Sequence, residues 1–195
     1  FTGIWPQRAF LHWRIQMANY VTAINRVYQA GFSPNLVERP RLEKHLQTIL
    51  NDVVKMRGLI TPASKETRIQ KSIFEAIQTV SRNMVCILEL QINAHWASRA
   101  SHMVMLNAHT LRDMQNMTQQ TLLTIAHALY EGNPQPIVAN SEKLNDITRE
   151  LRELIQAHQG ETLAETPMHG YVWLSMELAR QLELLSNLIC RALRK

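Results

Sequence analysis

Eight histidines among 195 residues are the first side chains here whose type could do chemistry. His95, His102 and His109 are spaced by seven, so an unbroken helix would nearly align them, as metal ligands can be. The stretch "ASRAS" at 97–101 spoils that alignment. Its small residues and two serines favour a turn or a new cap over continuation. A di-iron bundle needs Glu-x-x-His pairs on facing helices, and the chain contains none. No H-E-x-x-H and no paired-cysteine zinc spacing occurs either. The histidines read as surface or satisfied core residues, and no metal site is assigned.

Nucleophilic chemistry has equally little to stand on. Cys86 and Cys190 lie far apart within apolar helical patterns, which points to two buried, reduced thiols. A buried thiol is inert. No local motif brings a Ser or Cys to a base. The six glycines are isolated, so neither a P-loop nor a dinucleotide fingerprint exists. The Glu-rich run "EKLNDITRELRELI" could hold acid–base carboxylates, but it reads as a solvated face, with Arg149 spaced to meet Glu153. The nine methionines fall mostly on apolar stripes, as core fillers do. The chain reads as a non-enzyme with no catalytic residue and no cofactor.

The elements around these residues are helical. Hydrophobic residues make up 46 % of the chain and charged residues 19 %, enough for one sizeable core. Six apolar stripes recur at steps of three and four. The first runs from about Pro6 to Ala30 through Phe10, Trp13, Met17, Tyr20, Ile24 and Val27, with Gly31 as its left-handed stop. The second, from about Pro40 to Ile60, uses Leu42, Leu46, Ile49, Val53, Met56 and Ile60. The third, from about Pro62 to Trp96, takes Thr61 as its cap and carries Ile69, Ile73, Ile77, Val80, Met84 and Leu88.

A fourth stripe, from about His102 to Tyr130, passes through Leu111, Met114, Thr118, Leu122, Ile125 and Leu129. "EGNPQP" at 131–136 breaks it. The fifth, from about Asn140 to His158, uses Leu144, Ile147, Leu151 and Leu154. The sixth, from about Thr166 to Leu193, uses Tyr171, Leu174, Leu178, Leu182, Leu185, Ile189 and Leu193. The expected fold is all-α, an antiparallel up-and-down bundle of about six helices.

Charge is unevenly spread along the chain. Residues 1–44 carry Arg8, Arg14, Arg26, Arg39, Arg41 and Lys44 against Glu38 and Glu43, a balance of +4. Arg191, Arg194 and Lys195 add +3, while 45–190 sum to −2. The basic residues do not line one helix with interleaved aromatics, so nucleic acid is not the expected partner. A positive excess at two chain ends fits anionic lipid headgroups better. The longest stretch without a charged residue, the 17 residues from Met114 to Tyr130, carries several Gln, Asn and His and is no membrane span.

The opening "FTGIWPQRAFLHWR" sharpens that expectation. Trp marks membrane–water interfaces, and arginines beyond a span mark its cytoplasmic side. "FTGIW" reads as the last turn of a membrane helix, so 1–5 would end a preceding span and 6–195 would form a cytoplasmic bundle. The last of six alternating passes would return to the membrane. Trp5, Arg8, Arg14, Arg191, Arg194 and Lys195 are therefore the candidate membrane-proximal residues.

The blocks "FTGIWPQRAF", "NRVYQ", "KMRGLI", "PASKETRI", "HALYEGNPQP" and "QLELLSNLICRALRK" resemble the C-terminal soluble region of the fusaric-acid-resistance (FUSC) family, which is akin to the aromatic acid exporters. The likeness runs from Phe1 to Lys195. It implies an N-terminal transmembrane domain joined to a helical domain on the cytoplasmic face of a bacterial inner membrane, in a protein that exports aromatic carboxylic acids or similar toxic compounds. The domain would then support, regulate or oligomerise the membrane part, with that part, the anionic membrane surface and a second copy in a homodimer as its partners. The alternative is a helical module that captures a small aromatic acid. No catalytic or binding residue of the family maps onto the chain.

Overall fold

The computed structural model describes residues 8–33, 37–97, 108–157 and 166–194. Seven helices are found among them: α1 (Ala9–Gly31), α2 (Glu43–Lys55), α3 (Arg57–Thr67), α4 (Lys71–Ala97), α5 (Ala108–Glu131), α6 (Gln135–Ala157) and α7 (Thr166–Leu193). The described residues form no strand. No helix among them is long and apolar enough to cross a membrane. The proposed end of a span at 1–5 lies outside the described residues.

The apolar stripes became the core. Trp13, Met17, Val53, Phe74, Met84, Leu122, Leu129, Tyr171, Leu182 and Ile189 are all essentially inaccessible. Phe10, Trp13 and Phe74 form one aromatic knot, with the Trp13 and Phe74 rings edge to face at 4.9 Å.

Side-chain pairs between helices fix their directions. Trp13 sits on Phe74, Tyr20 Oη donates to the Ser81 carbonyl at 2.6 Å, and Trp96 Nε1 donates to the Gly31 carbonyl at 2.9 Å. Residue numbers rise together, so α1 and α4 are parallel. The α2–α3 pair runs back between them: a Cβ on Gly31 would stand 3.7 Å from Leu42, and the Phe10 amide donates to Glu66 at 3.2 Å.

In the second half, Gln29 bonds Gln119 and Asn19 bonds Tyr130, which makes α5 antiparallel to α1. Asn140 bonds Thr121, placing α6 back along α5. Gln91 donates to Ser175 at 2.9 Å and His95 stacks near Tyr171, so α7 is antiparallel to α4. The six passes therefore alternate in direction, with α2 and α3 together making one of them. The largest interfaces join α4 to α7 and α1 to α5, so two three-pass units face each other.

Several local expectations are corrected. The second pass breaks at Met56 instead of Thr61, and Pro62 lies inside α3. Proline there removes only the bond to the carbonyl of Gly58, which is exposed and open to water. Gln78 Nε2 satisfies the Val53 carbonyl beside the break at 2.6 Å. The chain leaves α3 through Arg68, a non-glycine residue at φ 61°.

Gly31 is not a left-handed stop. It is the last residue of α1, and any Cβ there would come within 2.8 Å of Ile92. The glycine lets α1 approach α4. The left-handed stop is instead Gly132, at φ 67°. The Asn133 amide reaches back to the Ala128 carbonyl at 3.0 Å, closing α5 with a Schellman motif. The next helix starts at Gln135 rather than near Asn140, with Pro136 in its first turn, where a missing N–H is harmless.

Candidate functional site

The two ends of the described chain meet at one end of the bundle. Counting back along α4 from Gln91 to Phe74, and forward by as many residues along α7 from Ser175, brings Ala192 level with Phe74 and so with Trp13. Arg8, Arg191 and Arg194 are exposed at this end. Arg14 is not freely exposed. Its guanidinium stacks over the Phe10 ring, 5.7 Å from the centroid, and fills the space where a Gly132 side chain would stand. Trp5 and Lys195 lie outside the described residues.

The structure brings three further cations to this end that chain position alone hides. Lys65, Arg68 and Lys71 are exposed around the α3–α4 turn, which packs beside the start of α1 through the Phe10–Glu66 bond. Conversely, Arg39 and Arg41 lie in the α1–α2 connection at the opposite end, with Arg26 in the later turns of α1 and Lys44 in the first turn of α2. There Arg39 pairs with Glu43 at 3.8 Å and bonds Asn93. Charge near the beginning of the chain is thus not all charge at one end of the bundle.

A cleft of about 390 Å³ opens beside this basic end, between the first half of α6 and the last turns of α7. Ile137, Val138 and Leu144 give it an apolar wall. Asn140, Ser141, Asn145, Ser186 and Asn187 supply amides and hydroxyls, and Arg191 and Arg194 supply the charge. Glu183 also lines it, two helical turns or about 12 Å along the axis from Arg191. Among the described residues, no aromatic ring lines this cleft.

The thiols are arranged differently from expectation. Both cysteines are free, but Cys86 is exposed and only Cys190 is buried. Met84, Val85 and Leu88 take the core-facing positions around Cys86. Cys190 lines the cleft, where burial raises its pKa and nearby Arg194 pulls it part of the way back. Arg149 meets Asp146 at 2.8 Å, one turn back, instead of Glu153. Among the described residues no three His, Cys, Asp or Glu side chains gather as metal ligands would. His102 lies outside the described residues.

Comparison with known proteins gives one strong likeness. The chain is 70 % identical, over all of its 195 residues, to the inner membrane protein YeeA of Escherichia coli (strain K12). It spans 55 % of that relative's length, about half. No protein-family model matches the chain, and no solved structure does. The likeness marks the chain as kin to a membrane-associated protein.

Proposed function

We propose that this chain is the cytoplasmic, non-catalytic helical domain of an inner-membrane protein of the fusaric-acid-resistance type, an exporter of aromatic carboxylic acids or similar toxic compounds. The domain rests its basic end on the anionic inner leaflet and supports, regulates or oligomerises the membrane part as a homodimer. The observation that carries this reading is the meeting of both described chain ends at one end of the bundle, where exposed arginines and lysines collect. A domain tethered to a bilayer at its chain start meets the surface there. The 70 % identity to an inner membrane protein supports the same setting.

Basic residues near an anionic surface contribute about 1 kcal/mol each, less at higher salt. Vesicles containing phosphatidylglycerol should therefore sediment the chain, and pure phosphatidylcholine vesicles should not. Changing Arg191, Arg194 and Lys195 together to Ala should weaken the binding by at least about tenfold. Equal binding to both vesicle types, or an unaffected triple variant, would sink the membrane-facing assignment. Protease protection of the longer protein in inside-out vesicles tests the side of the membrane. Light scattering on that protein in detergent tests the dimer.

A further inference from the structure

The cleft between α6 and α7 has properties that general surface attraction does not require. Arg191 and Arg194, three residues apart on α7, fall on one face of that helix and line the same wall. Ser186 is only 7 % exposed and lines the cleft as well. Among the described residues, the side chains of Ser186, Asn187, Arg191 and Arg194 make no hydrogen bond or ion pair. A hydroxyl and two guanidinium groups that line one cleft and have no protein partner leave their donors open to a ligand.

The donor set selects the ligand. Two arginine forks suit an anion with several acceptor oxygens held at fixed angles, the geometry of phosphate. The Ser186 hydroxyl and the Asn187 amide add neutral donors. The start of α6 and the end of α7 bring opposite partial charges to the cleft, so the helix dipoles offset each other there and the arginines set the sign. Glu183, which also lines the cleft, makes no ion pair with either arginine. An aromatic carboxylate would need a flat apolar or aromatic platform, and among the described residues no ring lines the cleft. A volume of about 390 Å³ takes a phosphate with a small polar ester group attached.

We infer that the α6–α7 cleft is a binding site for a phosphate ester, with Arg191 and Arg194 gripping the phosphate and Ser186 and Asn187 completing its shell. The membrane-facing reading enters only in naming the source: at a bilayer, the ester is a phospholipid headgroup, met with the apolar wall of Ile137 and Val138 toward its glycerol end.

The test uses the full 195-residue chain and two charge-preserving variants. In R191K/R194K the charge stays and the forks are lost. In Asn187→Leu an apolar side chain fills the cleft with no change of charge. Circular dichroism melts establish that both fold. Inorganic phosphate, followed by nuclear magnetic resonance, should saturably shift the signals of Ser186 and Asn187. Both variants should weaken that binding by about tenfold, whereas an Arg8→Lys control should leave it unchanged. Vesicles carrying phosphatidic acid then separate the sources. If both variants also lower vesicle binding severalfold, the headgroup is the ligand. If they leave it unchanged while phosphate binding falls, the site stands and takes a soluble phosphate ester. No saturable shift, or shifts that folded variants do not alter, would overturn the site. That failure would leave the membrane-facing reading intact, because that reading predicts loss with charge removal and indifference to Asn187→Leu.

Discussion

The Arg14 guanidinium occupies the space beside Gly132 that a Cβ would need. Two constraints therefore meet at one glycine. Its φ of 67° is strained for any side chain except Asn or Asp, and its open side holds the start of α1 to the end of α5. Gly132→Ala should lose about 1–2 kcal/mol in urea unfolding from the backbone alone, and more as Arg14 is displaced. Gly132→Asn relieves the backbone but still displaces Arg14, so it should fall between the two. In the Arg14→Ala background the cost of Gly132→Ala should shrink toward the backbone value. Strict additivity would mean that the close approach carries no energy.

Gln78 performs a similar service at the break between α2 and α3. Its amide donates to the Val53 carbonyl, and it is itself buried. Gln78→Leu keeps the volume roughly constant but leaves that carbonyl without its partner. A loss of about 1–3 kcal/mol in unfolding free energy is expected. Thr79, one residue on and exposed, offers the control: Thr79→Ala should stay within about 0.5 kcal/mol. Equal effects at the two positions would show that the bond across the break is not what matters.

These two contacts also show where the sequence stops being readable. The period of the apolar residues sets which face is buried, so Trp13, Leu46, Ile77, Leu122 and Leu182 could be read directly, and all are buried. The break at Met56 could not. It depends on Gln78 reaching across from another helix, while Pro62 advertises a boundary that an exposed Gly58 carbonyl makes unnecessary. Gly31 looked like a helix stop because its neighbour Ile92 is 61 residues away. The candidate site was half legible. Arg191 and Arg194 stand out at a basic chain end, but Lys65, Arg68 and Lys71 join them only through the topology. Nothing local in the sequence says that Ser186 and Asn187 will face α6 across a cleft.

The two thiols should differ in reactivity. Cys86 is exposed, while Cys190 is buried with its pKa raised. Thiolate is the reacting form, so both access and ionisation disfavour Cys190. A disulfide reagent at neutral pH should modify one thiol quickly, and mass mapping should place the label on Cys86. The second should react far more slowly while the protein is folded. Arg194→Ala removes the cation that favours the thiolate and should slow Cys190 further. Comparable rates at the two positions would mean that the end of α7 opens readily.

Alkaline pH should unfold the bundle through its buried phenols. Tyr20, Tyr28 and Tyr171 are fully buried, and desolvation raises all three pKa values above the ordinary tyrosine value. Tyr20 donates to the Ser81 carbonyl, and Gln115 donates to the Tyr171 hydroxyl. These contacts do not outweigh the loss of water around a phenolate. The folded pKa values lie above the unfolded value of about 10. The unfolded chain therefore releases protons first as pH rises. Stability is fully present below about pH 10 and falls above it. Denaturant midpoints should be insensitive to these groups from neutral pH to about pH 9 and then drop. The phenolate absorbance of three of the four tyrosines should appear together with the loss of helical circular dichroism. Tyr20→Phe should leave the alkaline transition in place but make it shallower, since one released proton is gone. A phenolate band that grows fully while the helices persist would show that these tyrosines are open to water and that the core is looser than its packing.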